Sequence, residues 1–255
     1  MKLLQKIQTY ASLVRFEHTL FALPFALSAA VVAAHGMPAL PILGWILLAM
    51  VGARTAAMAF NRIADRKIDA ANPRTKSREI PRGAVKLWEA WALMLVSIFA
   101  FVFAAYSLNP LAFALSPLAL IIIFGYSLAK RFTAFSHIIL GLALGIAPVG
   151  AWIAVTGGFS LTPIFLSIAV LFWTAGFDVI YALQDMAFDR KQKLFSFPQA
   201  FGVARALFIS RLMHAAAVIF LIAFGCSAHL SVLYYVGVGV IAACLIYEHR
   251  LVSPR

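Results

Sequence analysis

The sequence predicts an all-α protein, a polytopic bundle of transmembrane helices. Hydrophobic residues fill 64% of the 255 positions, charged residues fill 12%, and the mean hydropathy is +0.95. A soluble domain has about 25% charged residues, so the composition excludes an ordinary water-soluble protein. Apolar stretches long enough to cross about 30 Å of hydrocarbon recur along the chain. No linker or low-complexity segment divides them, and we therefore expect one membrane domain over residues 1–255.

Eight stretches are predicted to span the membrane, each free or nearly free of charge. They lie near 18–35, 39–60, 88–107, 110–128, 135–156, 161–183, 204–225 and 229–247. Every second connection lacks Lys, Arg, Asp and Glu, namely those near 35–39, 107–110, 156–161 and 225–229. The basic residues therefore collect on the other side, which the positive-inside rule identifies as cytoplasmic. We expect a multi-pass membrane protein with its polar site toward the cytoplasm.

The net charge of +12 does not indicate a nucleic-acid-binding protein. Its basic residues flank hydrophobic spans, and no separate soluble domain displays them. Attraction to anionic lipid headgroups is the expected use of many of these charges. No protein partner is implied.

All five aspartates of the chain lie in two short segments that follow apolar spans. In the first segment, Asn61, Asp65 and Asp69 are spaced four residues apart, which places their side chains on one face of a helix. Arg54 precedes Asn61 by seven residues, about two turns, and is expected on the same face but deeper in the membrane. A carboxylate near hydrocarbon is costly, so such a cluster requires cations or a ligand.

The second segment repeats this layout. Asp185 and Asp189 are four residues apart, Asp178 precedes Asp185 by seven residues, and Tyr181 joins the same face. In both halves a helix leads to an acidic end, a polar loop and a new helix. We expect the two acidic ends to face each other across one cavity.

The four carboxylates of Asp65, Asp69, Asp185 and Asp189 cannot remain ionised together without positive charge. Oxygen-only ligand sets favour hard cations such as Mg²⁺, and two divalent ions balance four negative charges. The surrounding surplus of Arg and Lys suits an anionic ligand, for which Mg²⁺-bridged diphosphate is the natural candidate. A single Asp in such a loop is usually a solvated ion pair, but two spaced pairs on separate membrane helices favour a site.

Three segments resemble the UbiA-type intramembrane prenyltransferases. NRIADRKIDAANPRTKSREIPRG (61–83) is similar to the first Asp-rich motif of that family, and DVIYALQDMAFDRKQKLFSFPQAFG (178–202) to the second. YSLAKRFT (126–133) is similar to the family's segment at the end of its fourth helix. FALPFAL, YALQD and FSFPQAFG resemble the bacterial 4-hydroxybenzoate polyprenyltransferase-like branch most, which implies a protein of a bacterial inner membrane.

This resemblance implies a helical membrane bundle with a central cavity capped by cytoplasmic Asp-rich loops. The implied activity is transfer of a polyprenyl chain from its diphosphate to an aromatic ring, with two Mg²⁺ ions. Asn61, Asp65 and Asp69 would hold one ion, and Asp185 and Asp189 the other. The implied catalytic residues are Asp65, Asp69, Asp185, Asp189, Lys130 and Asp178. The implied diphosphate-binding residues are Arg62, Arg66, Tyr126, Lys130 and Arg131.

The acceptor is expected to contact Arg54, Asp178 and Tyr181. A buried guanidinium matches a carboxylate through two parallel hydrogen bonds, so Arg54 suits an aromatic acid. Asp178 either orients or deprotonates the acceptor hydroxyl, or it pairs with Arg54 or another cation. 4-Hydroxybenzoate, in ubiquinone synthesis, is the first candidate acceptor, and a dihydroxynaphthoate for menaquinone is the alternative.

Ionisation of the donor would leave an allylic carbocation that must be protected from water. We expect an aromatic-rich cavity for this purpose, for which the 22 Phe, 7 Tyr and 5 Trp residues supply candidates. Most of these rings are expected to pack within the bundle or to face lipid. The family usually has nine membrane helices, so a chain with eight predicted spans is expected to lack the ninth. A non-enzymatic cation transporter or prenyl-lipid binder is the competing class, but no charged residues mark a path to the other membrane face.

Overall fold

The computed structural model describes residues 2–15 and 22–252, and all regular structure in these residues is helical. The helices are α1 (Lys2–Leu13), α2 (Leu23–Ala33), α3 (Leu40–Ala71), α4 (Leu87–Leu108), α5 (Pro110–Ala129), α6 (Ser136–Thr156), α7 (Leu161–Ala182), α8 (Met186–Gln192), α9 (Phe197–Phe201), α10 (Val203–Ser227) and α11 (Val232–Leu251). A 3₁₀ turn, Leu183–Asp185, separates α7 from α8. The predicted all-α class is confirmed.

Seven helical stretches within the described residues are long and apolar enough to cross a membrane. They coincide with the seven predicted spans from residue 39 onward, and the α7 stretch continues as far as Gln192. The first predicted span, 18–35, overlaps α2, which has only 11 residues. The beginning of that span, 18–21, lies outside the described residues. The count of eight spans and the orientation of the loops stay predictions.

Helix α3 is much longer than the bilayer requires. Its 32 residues correspond to about 48 Å of helix, whereas the hydrocarbon core is about 30 Å thick. The apolar part, up to Phe60, is sufficient to cross the core. The helix continues without interruption through Asn61, Asp65 and Asp69, so the polar end of α3 carries the first acidic segment beyond the apolar span.

Helices α6 and α7 approach each other closely because α6 has glycine at the contact. A Cβ atom added at Gly141 would collide with the carbonyl oxygen of Leu171, and one added at Gly145 would lie 2.7 Å from that of Ser167. Small residues four positions apart allow membrane helices to pack backbone to backbone. This contact fixes the start of α6 against α7.

Helix α1 was not predicted, and it packs beside the polar end of α3. Leu13 is fully buried in a cluster with Ala56, Ala59 and Ile63 of α3. The Ser12 hydroxyl donates to Glu79 at 2.6 Å, in the loop between α3 and α4. The amino-terminal helix therefore supports the same region of the molecule that contains the acidic segments.

Candidate active site

A polar pocket of about 200 Å³ lies where α3, α5, α6 and α7 end or begin. Residues from both predicted acidic segments and from the segment between them border it. The lining residues include Asn61, Tyr126, Ser127, Lys130, Ser136, His137, Asp178, Tyr181, Asp185 and Asp189. The pocket therefore joins parts of the sequence more than a hundred residues apart.

Asp65 lies beside this pocket and is almost completely buried. Lys130 Nζ contacts Asp65 Oδ2 at 2.5 Å, and Arg131 Nη2 contacts Oδ1 at 2.8 Å. The Asn61 amide also donates to Oδ2, at 3.3 Å. Two cations thus surround one buried carboxylate, which leaves positive charge available toward the pocket through Lys130.

Asp69, one turn further along α3, is also buried and has a different partner. Arg78 Nη1 donates to Asp69 Oδ1 at 2.7 Å. The other carboxylate oxygen, Oδ2, is buried without a hydrogen-bond partner among the described residues. An unsatisfied buried carboxylate oxygen is costly, and it is suited to bind a cation.

The loop between α3 and α4 connects the two acidic segments. Asn72 donates to Asp185 Oδ1 at 3.1 Å, and Arg74 Nε donates to the same oxygen at 2.9 Å while Arg74 Nη2 pairs with Oδ2. Arg74 Nη1 also donates to the Tyr181 hydroxyl at 2.9 Å. The hydrogen bond to Asp185 raises the pKa of Arg74 above its ordinary value. This loop closes one side of the pocket.

The second acidic segment does not form one regular helix. Asp185 ends the 3₁₀ turn, whereas Asp189 lies in α8. The four-residue spacing therefore does not by itself align these two side chains, although both line the polar pocket. The chain after α8 is anchored by a hydrogen bond from the Phe195 backbone N–H to the Lys130 carbonyl at 2.8 Å.

Three of the expected diphosphate-binding arginines do not line the polar pocket. The buried Arg62 donates through Nε to the Leu13 carbonyl at 3.2 Å, which attaches α1 to α3. Arg66 donates to the Ile63 carbonyl of its own helix at 3.0 Å. Arg131 donates to Asp65 and to the Ala64 carbonyl. Helical periodicity explains the result for Arg62 and Arg66, since they do not share the face of Asn61 and Asp65.

Asp178 pairs with a histidine rather than with Arg54. Its Oδ2 lies 2.7 Å from His137 Nδ1, and the His137 ring is buried at the start of α6. The backbone N–H of Phe197 donates to His137 Nε2 at 3.2 Å. Asp178 itself remains accessible from the polar pocket, with 30% of its side chain exposed.

A second, apolar cavity of about 400 Å³ lies between α2, α3, α4, α5 and α6. Arg54 borders it, and Arg54 Nε is buried without a partner among the described residues. Tyr126 lines both this cavity and the polar pocket. The two spaces therefore meet at Tyr126.

The expectation of an aromatic-rich cavity was wrong. Twelve of its lining residues are alanine, and the aromatic ones are Phe101, Tyr126 and Phe159. Many Phe side chains lie on the exposed surface of the bundle, where lipid would contact them, in agreement with the expectation for most of the aromatic rings. Small side chains on neighbouring helices leave the space that forms the cavity.

No three His, Cys, Asp or Glu side chains within residues 2–15 and 22–252 are gathered in an arrangement that would hold a metal ion. Asp65, Asp69 and Asp185 are instead paired with Lys and Arg side chains. Four further residues contact the aspartates, namely Asn72, Arg74, Arg78 and His137. The sequence interpretation included Arg74 and Arg78 only among the surplus cations, and it did not consider Asn72 or His137. Arg74 and Arg78 lie in the turns between α3 and α4, where residue spacing does not predict a shared face, and a single histidine at the start of a helix gave no signal either.

Known proteins with related sequences identify the family. Residues 22–255 match the model of the UbiA prenyltransferase family. The 4-hydroxybenzoate octaprenyltransferase of Vibrio parahaemolyticus is 31% identical over 254 residues, covering 98% of this chain and 89% of the relative. A 4-hydroxybenzoate solanesyltransferase of Synechocystis is 36% identical over 166 residues, covering 65% of this chain and 57% of that protein.

Solved structures share the fold. The apo structure of a UbiA homolog from Aeropyrum pernix has a TM-score of 0.86 and 38% identity, over 92% of this chain and 88% of that one. A UbiA homolog from Archaeoglobus fulgidus bound to DMAPP and Mg²⁺ has a TM-score of 0.74 and 24% identity, over 95% and 86% of the two chains. The chain therefore belongs to the UbiA prenyltransferase family and is an integral-membrane prenyltransferase.

Proposed function

We propose that the protein transfers a polyprenyl group from polyprenyl diphosphate to an aromatic acid, with 4-hydroxybenzoate as the acceptor, in a reaction that requires Mg²⁺. The observation that carries this proposal is the junction of a polar, charged pocket with an apolar cavity at Tyr126. A prenyl diphosphate has the same division, with an anionic head and a hydrocarbon tail. Relatives named as 4-hydroxybenzoate prenyltransferases support the choice of acceptor.

The residues present are chemically suited to Mg²⁺. The predicted ligands supply only oxygen atoms, which hard cations prefer, and Asp69 Oδ2 is a buried carboxylate oxygen without a described partner. Asn61, Asp65 and Asp69 would hold one ion, and Asp185 and Asp189 a second. Bound Mg²⁺ would neutralise charge on the departing diphosphate.

The chain's own cations would stabilise the same leaving group. Lys130 lines the polar pocket. Arg74 donates hydrogen bonds to Asp185 and Tyr181, which both line that pocket. Positive groups fixed in advance stabilise charge that develops as the bond from prenyl carbon to diphosphate oxygen breaks. Tyr126, between the two spaces, would lie near the prenyl carbon at which that bond breaks.

The acceptor would bind between Arg54 and Asp178. Arg54 would form paired hydrogen bonds with the acceptor carboxylate, and its unpartnered Nε at the apolar cavity supports this role. The ring carbon ortho to the hydroxyl would then attack the prenyl cation, and loss of its proton restores the aromatic ring. A dihydroxynaphthoate carries the same carboxylate and is the alternative acceptor.

The membrane setting belongs to the same proposal. The apolar helices place the protein in a bilayer, which we propose is the inner membrane of a bacterium. Connections without charge alternate with basic ones, and the polar pocket lies on the basic side, which supports a site that opens to the cytoplasm. Lipid-soluble prenyl diphosphate and water-soluble aromatic acid would thus reach the pocket from different phases.

The test is product formation by purified protein in detergent or lipid. Geranyl or longer diphosphate, Mg²⁺ and either 4-hydroxybenzoate or 1,4-dihydroxy-6-naphthoate are supplied, with Asp65→Ala and Asp185→Ala beside the wild type. We expect a prenylated product with 4-hydroxybenzoate that disappears with EDTA and in both variants. Product with the naphthoate alone would show that the dihydroxynaphthoate, and not 4-hydroxybenzoate, is the acceptor. Failure to bind prenyl diphosphate in the presence of Mg²⁺ would refute the proposed function.

A further inference from the structure

The histidine at the start of α6 has a defined hydrogen-bonding role on both of its ring nitrogens. The His137 ring is buried, with 3% of the residue exposed, and no sequence motif pointed to it. Nε2 accepts a hydrogen bond from the backbone N–H of Phe197 at 3.2 Å, and Nδ1 lies 2.7 Å from Asp178 Oδ2. A backbone N–H can only donate, so Nε2 must be the unprotonated nitrogen. The ring proton of the neutral imidazole is then on Nδ1, which donates to Asp178.

This arrangement fixes one oxygen of Asp178 and leaves the other for a ligand. Oδ2 is occupied by His137, whereas Oδ1 has no protein hydrogen-bond partner within the described residues. Asp178 and His137 both line the polar pocket. The carboxylate needs such support because Asp178 has no Arg or Lys in ion-pair contact within the same residues, unlike Asp65, Asp69 and Asp185.

We propose that His137 is a positioning residue for the aromatic acceptor, holding Asp178 through Oδ2 so that Oδ1 accepts a hydrogen bond from the acceptor hydroxyl. The inference rests on the proposed function for its ligand. It goes beyond that function by assigning a residue on α6 to acceptor recognition. Because His137 also accepts from Phe197, it links the orientation of Asp178 to the short helix α9 that follows the second acidic segment.

Two amide variants separate the two hydrogen bonds. In His137→Asn the side-chain amide can reach the position of Nδ1 and donate to Asp178, but the acceptor for Phe197 is lost. In His137→Gln the longer side chain places an acceptor near the position of Nε2, and the donor to Asp178 is lost. Each variant removes one bond from the same buried site, so the two are matched controls for each other, and thermal unfolding identifies any variant that fails to fold.

We expect the KM for 4-hydroxybenzoate to rise about tenfold or more in His137→Gln, because a hydrogen bond to a charged group is lost. The KM for prenyl diphosphate should stay unchanged, and His137→Asn should retain an acceptor KM close to that of the wild type. Asp178→Asn should also raise the acceptor KM, and combining it with His137→Gln should add little, since both changes remove the same contact. An acceptor KM that rises in His137→Asn as much as in His137→Gln overturns the proposal.

A measurement independent of turnover tests the hydrogen bonds directly. Nitrogen-15 NMR of histidine-labelled protein distinguishes protonated from unprotonated ring nitrogens. Of the signals from the six histidines, the one that is missing in the His137→Asn variant belongs to His137. We expect a neutral ring with the proton on Nδ1. A proton on Nε2 would overturn the inference, whereas wild-type protein that has the expected tautomer but makes no product would refute the proposed function instead.

Discussion

At the scale of single residues, the candidate site is a set of buried carboxylates with individual partners. Asp65 is contacted by Lys130 and Arg131, and Asp69 by Arg78. A buried carboxylate is stable only when cations or hydrogen bonds replace its lost hydration. The excess of basic side chains at this end of the bundle therefore stabilises the acidic segments, and it would also attract an anionic diphosphate.

Lys130 is the cation best placed to act on the diphosphate, since it lines the pocket and touches Asp65. We expect Lys130→Met to reduce kcat by about 100-fold or more, the effect typical of removing one group that stabilises developing negative charge. The measurement is product formation at saturating donor and acceptor. Lys76→Met, which removes an exposed lysine from the loop between α3 and α4, is the matched control and should retain full turnover. Equal turnover in both variants would contradict the assignment.

Arg54 should affect the acceptor and leave the donor unchanged. Loss of a charged hydrogen-bond donor in Arg54→Gln is expected to raise the KM for the aromatic acid about tenfold or more. The KM for prenyl diphosphate should change little, because Arg54 does not line the polar pocket that would hold the diphosphate, and a hydrocarbon tail offers a guanidinium no hydrogen-bond acceptor. Steady-state kinetics with each substrate varied in turn checks this. A rise in the KM for prenyl diphosphate without a rise in the KM for the aromatic acid would contradict the assignment of Arg54 to acceptor binding.

At the scale of helices, length and close packing position the site. Helix α3 extends past its apolar part, so its polar end presents Asn61 to the pocket and holds Asp65 beside it. The Gly141–Gly145 contact brings α6 against α7, which is the pair of helices that carries His137 and Asp178. The geometry of the site thus depends on a backbone contact that contains no catalytic side chain.

Substituting the glycine at this contact should loosen the bundle. In Gly141→Ala the new methyl group would collide with the Leu171 carbonyl, and overpacking of this kind costs about 1–3 kcal/mol. We expect a lower midpoint of thermal unfolding in detergent. Gly44→Ala on α3 is the control, because no atom in the described part of the chain lies within 4 Å of the added Cβ, and alanine favours the helix. An unchanged midpoint for Gly141→Ala would show that α6 and α7 can separate without cost.

At the scale of the whole molecule, the bundle has two spaces of opposite character that share Tyr126 as a lining residue. The apolar cavity is bordered by Ala112 and Leu108 near one end of the spans and by Tyr126 near the other. Ala112 and Tyr126 lie on one helix, 14 residues or about 21 Å apart. The cavity therefore follows much of the depth of the hydrocarbon core, as a bound prenyl chain would.

Filling the part of this apolar cavity that lies away from Tyr126 should reduce turnover to a different extent for donors of different length. Gly150 is exposed and lines the cavity, and no atom of the described residues lies within 4 Å of an added Cβ, so Gly150→Phe has room for a ring at the cavity wall. We expect turnover with longer prenyl diphosphates to fall more than turnover with geranyl diphosphate. Product analysis across a series of donor lengths measures this. Gly44→Phe, on a helix position outside the cavity lining, should reduce all donors equally or not at all.

Hydropathy, helical period and motif resemblance were sufficient to predict the class of protein, most of its helices and the charged residues of the site. Hydropathy and helical period are local properties, so the spans from residue 39 onward and the single α3 helix through Asp69 followed directly from them. The resemblance in the two Asp-rich segments pointed to the correct family. These signals are strong because a membrane requires long apolar helices, and because charged side chains near hydrocarbon are costly unless they have a partner or a ligand.

The partner of each charged side chain could be read only from the arrangement of the helices. This arrangement paired Asp185 with Arg74, directed Arg62 to helix α1, placed His137 against Asp178, and lined the cavity with alanine in place of aromatic rings. Such pairings join residues between 41 and 111 positions apart, or depend on which of several equivalent cations lies nearest. Periodicity fixes the face of a helix on which a side chain lies, but the side chain's partner depends on how the helices are arranged around it.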